Sequence, residues 1–427
     1  MSAHSRHQAS APASTVLRWC HHGIGLVFGL VVAIISAGKM NYDDWDALWV
    51  AGLLVRDGNR DHLYSINEHD FAMPRGDVWL DTIAHSDVTG FPHPYVHAPF
   101  LADVMSLVVQ VMSFDVSVIV LAIVSGWALV VLIASAWFLW FEEEIPTMIL
   151  LFGILLGWVS TAFQSSLILG QTSPLIFAGV AYGLAASRVH PVRAGIALGL
   201  VSAVKLTPIV LVLICVAFPR ARKTGLVALG TGAIAVLYSI VVSGWNVFTS
   251  WWDTLQDIKG AVMVAPVNGS IASQLSTNRV EDDNLLVTIV DDPSTAASII
   301  PPLVTLALIA LVIVTAVRSQ DPWRITAVGI FTVLTATSSI LWDHYVLCAV
   351  VPLLGVLARG QNRIIYAVPV LGLFLFPPLA KSDSDLWLPW SSFIALAGFV
   401  IALCIAELSR KDALPLRDRR LSFKKAS

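Results

Sequence analysis

The chain has 427 residues, of which 56% are hydrophobic and only 13% are charged, and its mean hydropathy is +0.77. A soluble domain carries roughly 25% charged residues, so this composition excludes a soluble globular protein and indicates an integral membrane protein. The formal net charge of -3 gives no indication of a nucleic-acid partner.

Apolar runs recur along nearly the whole chain, from His22–Gly38 to Trp390–Glu407. Each bilayer crossing needs about 20 apolar residues, and we count about twelve such runs. The sequence therefore predicts an all-α polytopic membrane protein with about 11–13 transmembrane helices.

Basic residues concentrate in short connections and in the C-terminal tail, which we therefore assign to the cytoplasm. This assignment predicts three parts along the chain. They are a cytoplasmic N-terminal tail over 1–21, a transmembrane domain over 22–408 with external loops at about 40–97 and 245–297, and a basic cytoplasmic tail over 409–427.

The first external loop begins with the acidic cluster Asn41-Tyr42-Asp43-Asp44-Trp45-Asp46. The apolar residues that follow have an approximately helical spacing, which predicts an amphipathic helix over 44–57 lying along the membrane surface. Such a helix would hold the carboxylates at the bilayer edge, where both a lipid headgroup and a water-soluble acceptor can reach them.

A carboxylate at this edge is partly desolvated, and Asp44 is also crowded by Asp43 and Asp46, so its pKa should be raised. This makes Asp44 the leading candidate for a general base. The alternative is a helix-capping carboxylate. The sequence does not decide which of the three carboxylates would act.

Two basic connections, Arg188–Arg193 and Arg220–Lys223, flank the single apolar run 194–217. One straight crossing would place them on opposite sides of the membrane, so we predict a broken hairpin. The break falls at Lys205-Leu206-Thr207-Pro208, because Pro208 interrupts the helix and Lys205 brings a charge into the run. Lys205 either binds a lipid phosphate, or extends to the interface or pairs with a carboxylate.

Further polar residues fall at the predicted outer surface or interrupt apolar runs. His344, next to Asp343, can donate to a phosphate or a sugar hydroxyl, or be a structural histidine. Gln171 can bond a sugar or hold a neighbouring helix. In the second external loop, Asn268 with Gln274 can bind an acceptor, and Arg279 either binds an anion or is a solvated surface residue.

The sequence contains no glycine-rich phosphate loop, HExxH or GxSxG motif, and its four cysteines show no CxxC spacing. We therefore predict no nucleotide cofactor and no metal site.

Four short motifs occur in order along the chain: Asp44 with Ala51, Gly58 and Tyr64; Gly170-Gln171; Lys205-Leu206-Thr207-Pro208; and Trp342-Asp343-His344. Together they resemble glycosyltransferase family 87 of the GT-C superfamily, which includes the polyprenol-phosphate-mannose-dependent mannosyltransferases of actinobacterial envelopes. The chain departs from the family pattern at Leu48, at Thr172 and at Gly269. These departures concern the acceptor more than the chemistry.

The resemblance implies sugar transfer, with inversion, from a polyprenyl-phosphate donor to an envelope glycolipid or glycan acceptor. The reaction would take place on the outer (periplasmic) face of the plasma (inner) membrane and need no nucleotide or tightly bound metal. Asp44 would be the base, and Lys205 and His344, with Arg279, would bind the donor phosphate. The remaining candidates for sugar or acceptor binding are Asp43, Asp46, Gln171, Asn268 and Asp343.

Three alternatives stay open. Arabinofuranosyl transfer from decaprenyl-phosphate-arabinose occurs among relatives, and the sequence does not separate it from mannosyl transfer. A lipid-linked sugar flippase or another transporter would also have broken helices and intramembrane charges. The third alternative is a non-catalytic assembly partner that has kept the fold.

Overall fold

The computed structural model describes residues 16–38, 40–66, 70–265, 267–280, 287–360 and 390–410. Within these residues the fold is all-α, apart from one antiparallel pair of strands, β1 (Val262–Val264) and β2 (Thr288–Val290). The helices are α1 (Trp19–Ser36), α2 (Asp43–Arg56), α3 (Asp77–Ala84), α4 (Pro99–Val111), α5 (Phe114–Phe141), α6 (Thr147–Val159), α7 (Thr161–Ile168), α8 (Ser173–Ala186), α9 (Pro191–Val204), α10 (Ile209–Ala217), α11 (Arg222–Tyr238), α12 (Trp245–Gly260), α13 (Ile271–Gln274), α14 (Thr295–Arg318), α15 (Pro322–Ala336), α16 (Val350–Arg359) and α17 (Ser391–Leu408).

This is an all-α polytopic membrane protein. In the part of the chain that the structure describes, five helices are long and apolar enough to cross a membrane, or six if the bent pair α6–α7 is one span. Four shorter apolar helices, α4, α8, α9 and α15, accompany them. The count of eleven to thirteen crossings and the division into tails and loops stay predictions.

The 28-residue helix α5 is the centre of the bundle, and most of its side chains are buried. It packs against α1, α8 and α16. Its first residue, Phe114, contacts the rings of Tyr42 and Trp49 beside the acidic cluster. We call this side of the molecule the Asp44 face.

The other end of α5 defines the opposite face. Glu142 forms an ion pair with Arg324, and Glu144 lies 2.5 Å from Arg18. The carboxylates after α5 therefore share one face with two of the basic residues that flank apolar runs.

The predicted surface helix forms, as α2, but it does not have one buried and one exposed side. Every residue from Asp46 to Val55 is buried. Its apolar positions leave no polar side, because Trp49, Val50 and Leu53 occupy the face that an interfacial helix would expose, and α3 and α4 pack against it. A helix that is apolar all round is a buried helix, so α2 is buried within the protein, and its placement along the membrane surface stays a prediction.

The run 194–217 is divided at the predicted break, where α9 ends at Val204 and α10 begins at Ile209. Helix α9 runs parallel to α11, because Gly195 lies against Thr224 and Gly199 against Thr231. Helix α10 runs antiparallel to α11, because its end packs on Gly225. The two half-helices therefore form a hairpin whose tip is Lys205-Leu206-Thr207-Pro208.

Candidate active site

The start of α2 is docked on the segment that precedes α8. The backbone N–H groups of Asn41 and Tyr42 donate to the carbonyl of Ile168, at 3.0 and 2.9 Å, and that of Asp44 donates to Leu169 at 2.9 Å. Gly170 has a φ of +67°, and a Cβ placed on it would lie 2.7 Å from the Cβ of Trp45. Only glycine fits there, and this close approach brings Gln171 against Asp44.

The three carboxylates of the acidic cluster have different partners. Asp43 Oδ1 accepts the backbone N–H of Phe91 at 2.9 Å, and Asp46 Oδ2 accepts that of Gly90 at 2.8 Å. The carboxylate of Asp44 instead lies against the amide of Gln171, which stabilises its charged form by hydrogen bonding. Asp43 and Asp46 thus hold the loop backbone, whereas Asp44 is bonded to a side chain.

The electrostatic setting of Asp44 suits a proton acceptor. Burial raises its pKa, and the charge of Asp43 raises it further, whereas His93, Gln171 and Lys205 act in the opposite direction. The pKa of Asp46 is raised to about 7, mainly by burial. A carboxylate with a raised pKa is a stronger base than a solvated one.

Lys205 lies at the tip of the α9–α10 hairpin, just after the last residue of α9. Its Nζ is 3.7 Å from the ring centroid of Tyr345, a cation–π contact. Lys205 also interacts electrostatically with Asp44 and with His344. The tip of the hairpin therefore supplies a cation to the Asp44 face.

His344 is 1% exposed, and neither ring nitrogen has a hydrogen-bond partner among the described residues. Its ring centroid lies 4.7 Å from that of Tyr345, whose ring also contacts Lys205. Buried polar groups are normally paired, so this unpartnered imidazole beside a cation makes His344 a candidate for binding a ligand.

Asp343 and Asn268 are bonded to the protein framework. Asp343 accepts from Ser392 Oγ on α17 at 3.1 Å. Asn268 donates to the carbonyl of Met263 at 2.6 Å and accepts from the N–H of Leu341 at 2.9 Å. Asn268 thus links the second loop to the segment that bears His344, and sugar binding by either residue stays a prediction.

Arg279 is half exposed and lies 4.0 Å from Asp292, on the surface of the second loop. The described residues show no contact between Arg279 and Asp44, Lys205 or His344. Its predicted role in binding phosphate stays a prediction. The structure thus brings together Asp44, Gln171, Lys205 and His344 from four separate parts of the chain.

Three site residues were not predicted from the sequence. His93 lowers the pKa of Asp44, and the ring of Tyr345 contacts the ammonium group of Lys205. His97 forms a hydrogen bond with the carbonyl of the last residue of α9. The two histidines lie in Phe91-Pro92-His93-Pro94-Tyr95-Val96-His97, where the density of proline and histidine was the available signal.

An apolar cavity of about 280 Å³ lies beside the hairpin tip. Its walls come from α9, α11 and α12, and it includes Ala203 and Leu206, which flank Lys205. A cavity of roughly 150 Å³ lined by apolar side chains is already large enough to bind benzene. Residues near Lys205 in the chain thus line a space suited to a hydrocarbon chain, whereas Lys205 itself lines a separate, smaller pocket with Tyr345.

The fold and the site define a polytopic membrane protein with a carboxylate, a lysine and an imidazole on one face of its helices. The family model of glycosyltransferase family 87 matches residues 95–338, more than half of the chain, and the chain belongs to that family. It is thus a membrane glycosyltransferase. Comparison with curated proteins and with solved structures gave no match. The matched segment contains Gln171 and Lys205, and it begins after Asp44 and ends before His344.

Proposed function

We propose that this protein transfers mannose from a polyprenyl-phosphate donor to an envelope glycolipid or glycan acceptor, on the outer face of the plasma membrane. The observation that supports this most is the convergence of Asp44, Lys205 and the unpartnered His344 on one face. Transfer between two membrane-anchored molecules requires a base and anion-binding groups at the membrane surface, and these three residues are of the required types.

In the proposed reaction the acceptor hydroxyl oxygen attacks the anomeric carbon of the donor sugar. The bond between that carbon and the phosphate oxygen breaks, and the electron pair leaves with the polyprenyl phosphate. Asp44 takes the hydroxyl proton. Attack from the side opposite the phosphate inverts the anomeric configuration.

Lys205 and His344 would act on the other side of the reacting carbon, where negative charge increases on the departing phosphate. A cation already in place stabilises that charge more in the transition state than in the bound donor. The imidazole of His344 has both nitrogens available, and one of them donates to a phosphate oxygen when protonated.

The apolar cavity supports a lipid-linked donor over a water-soluble one. Ala203 and Leu206 line the cavity and are close to Lys205 in the chain, so the lipid chain of a donor bound by Lys205 would extend around the hairpin tip to reach it. A nucleotide sugar has no hydrocarbon portion to fill such a space.

The test is transfer of radiolabelled sugar by purified protein, with polyprenyl-phosphate-mannose and decaprenyl-phosphate-arabinose supplied separately. We expect label from the mannose donor with wild type, and a loss of about 10²–10⁴-fold in Asp44→Asn, the range for removing a general base. Asp43→Asn is the matched control, because asparagine keeps an oxygen to accept from Phe91, and it should stay active.

Each outcome has a defined meaning. Label from the arabinose donor alone would replace mannose by arabinofuranose and keep the chemistry. Equal activity of Asp44→Asn and wild type would remove Asp44 as the base. No transfer from either donor, with correctly folded protein, would overturn the proposed donor class.

A further inference from the structure

The loop that returns from the acidic cluster to α4, residues 90–99, contacts both halves of the site; we call it the strap. At its start, the N–H groups of Gly90 and Phe91 are held by the carboxylates of Asp46 and Asp43. A Cβ on Gly90 would lie 2.2 Å from the carbonyl oxygen of Asn41, so the strap passes directly over the start of α2.

At its far end the strap reaches the hairpin tip. His97 Nδ1 lies 3.0 Å from the carbonyl oxygen of Val204, the last residue of α9 and the neighbour of Lys205. A carbonyl only accepts, so Nδ1 bears the proton. Burial lowers the pKa of His97 to about 4, which keeps the ring neutral with a single N–H to place.

The strap is itself anchored around His97. Tyr64 Oη donates to the carbonyl of His97 at 2.8 Å, and Trp251 Nε1 donates to that of Val96 at 3.2 Å. The Tyr95 hydroxyl donates to the carbonyl of Ala98 at 2.7 Å. The position of His97 is therefore fixed by these bonds, and the hydrogen bond that it donates holds the end of α9 in place.

We propose that His97 is a positioning residue for Lys205: its Nδ1–H holds the terminal carbonyl of α9 and so fixes the lysine opposite Asp44. The proline-interrupted tip is the part of the hairpin that most needs such support, because Pro208 lacks a backbone N–H. The inference rests on the proposed function for its catalytic meaning, but the geometry it asserts is testable without any sugar donor.

The primary test measures the environment of Lys205 directly. Wild type and variants in detergent are treated briefly with an acetylating reagent, and the peptide bearing Lys205 is quantified by mass spectrometry against that bearing Lys223, an exposed lysine. In wild type, Lys205 is partly buried and packs on Tyr345, which should limit the access of the reagent. We expect His97→Leu to raise labelling of Lys205 several-fold relative to Lys223.

Asparagine places an N–H close to the position of Nδ1, so His97→Asn should restore the wild-type labelling ratio. His97→Ser, which is too short to reach the Val204 carbonyl, should behave like His97→Leu and serves if the leucine variant does not fold. His85→Leu, at an exposed histidine after α3, is the control for histidine replacement as such. Unchanged labelling in His97→Leu and His97→Ser would overturn the inference.

Kinetics provide the second readout. With the sugar donor, His97→Leu should raise the apparent KM for the donor, while the KM for the acceptor stays unchanged. The acid limb of the pH profile, which reports Asp44, should move to higher pH, because the lysine that lowers the pKa of Asp44 is displaced. An equal loss in all parameters, with normal labelling, would indicate general damage and contradict positioning. If wild type transfers no sugar, the proposed function fails while the labelling ratio still decides the role of His97.

Discussion

The best-buried charges near the two ends of the helix bundle have different partners. On the face opposite Asp44, Arg359 Nε lies 2.5 Å from Glu407, whose second oxygen accepts from Ser319 at 2.5 Å, and both charged side chains are almost fully buried. On the Asp44 face, Lys205 rests on an aromatic ring and His344 has no hydrogen-bond partner among the described residues.

This contrast separates structural from functional charge. Removing water from a charge costs free energy unless a partner compensates, and the opposite face supplies that partner within the protein. Under the proposed function, the bound donor would supply part of that compensation on the Asp44 face. Substitutions should therefore reduce stability on one face and reduce activity on the other.

The largest effect should come from breaking a buried pair. Arg359→Leu leaves Glu407 charged and buried without its main partner, which typically costs about 3–5 kcal/mol. We expect this loss in the unfolding of detergent-solubilised protein, while the fraction that remains folded transfers sugar normally. The double variant Arg359→Leu/Glu407→Leu should recover most of the stability, and a double variant as unstable as the single one would count against the pairing.

Lys205→Ala should give the reverse pattern. Loss of a preorganised group that stabilises transition-state charge lowers activity by about 10²–10³-fold. Stability should be unchanged or higher, because the substitution removes a charge with no carboxylate in direct contact. Lys223→Ala, at an exposed position, is the control. A variant with normal activity would exclude Lys205 from phosphate binding.

A smaller effect is expected at Gly170, where the segment before α8 packs closely against the start of α2. Gly170→Ala adds a Cβ at a positive φ and against Trp45, so it should cost about 1–3 kcal/mol and lower activity by shifting Gln171 and Asp44. Gly230→Ala, a helical position with open space around it, is the control and should be neutral or stabilising. Equal behaviour of both variants would show that the close approach at Gly170 is unimportant.

Features with a local cause could be predicted from the sequence. The hairpin tip followed from Pro208, Lys205 and the two flanking basic connections, and α2 was found within a residue of its observed bounds. The all-α polytopic class followed from composition. In each case the signal lies within the segment concerned, so it can be recognised without knowing which other segments pack against it.

Features that depend on distant partners were missed. The burial of α2 is due to α3 and α4, although Trp49, Val50 and Leu53 already made its supposed polar face apolar. The three carboxylates could not be ranked, because two of them are engaged by Gly90 and Phe91 on the returning strap. Tyr345 and His97 contact the hairpin tip across long stretches of sequence, and no local pattern marks such contacts.

The smallest predicted effect is on the pH dependence of kcat/KM, which tests the role assigned to Asp44. Burial raises its pKa, so Asp44 binds a proton at a higher pH than a solvated aspartate, whose pKa is about 3.9. The base form is then lost earlier on acidification. The acid limb of kcat/KM should lie above the ordinary aspartate range.

Substituting the charged neighbours of Asp44 should shift the acid limb of kcat/KM along the pH axis. Asp43 raises the pKa of Asp44, and His93 and Lys205 lower it. Asp43→Asn should therefore shift the limb to lower pH, because it removes a like charge, whereas His93→Gln should shift it to higher pH. Shifts in these opposite directions would identify the titrating group as Asp44, and an acid limb that neither substitution moves would assign the titration to another residue.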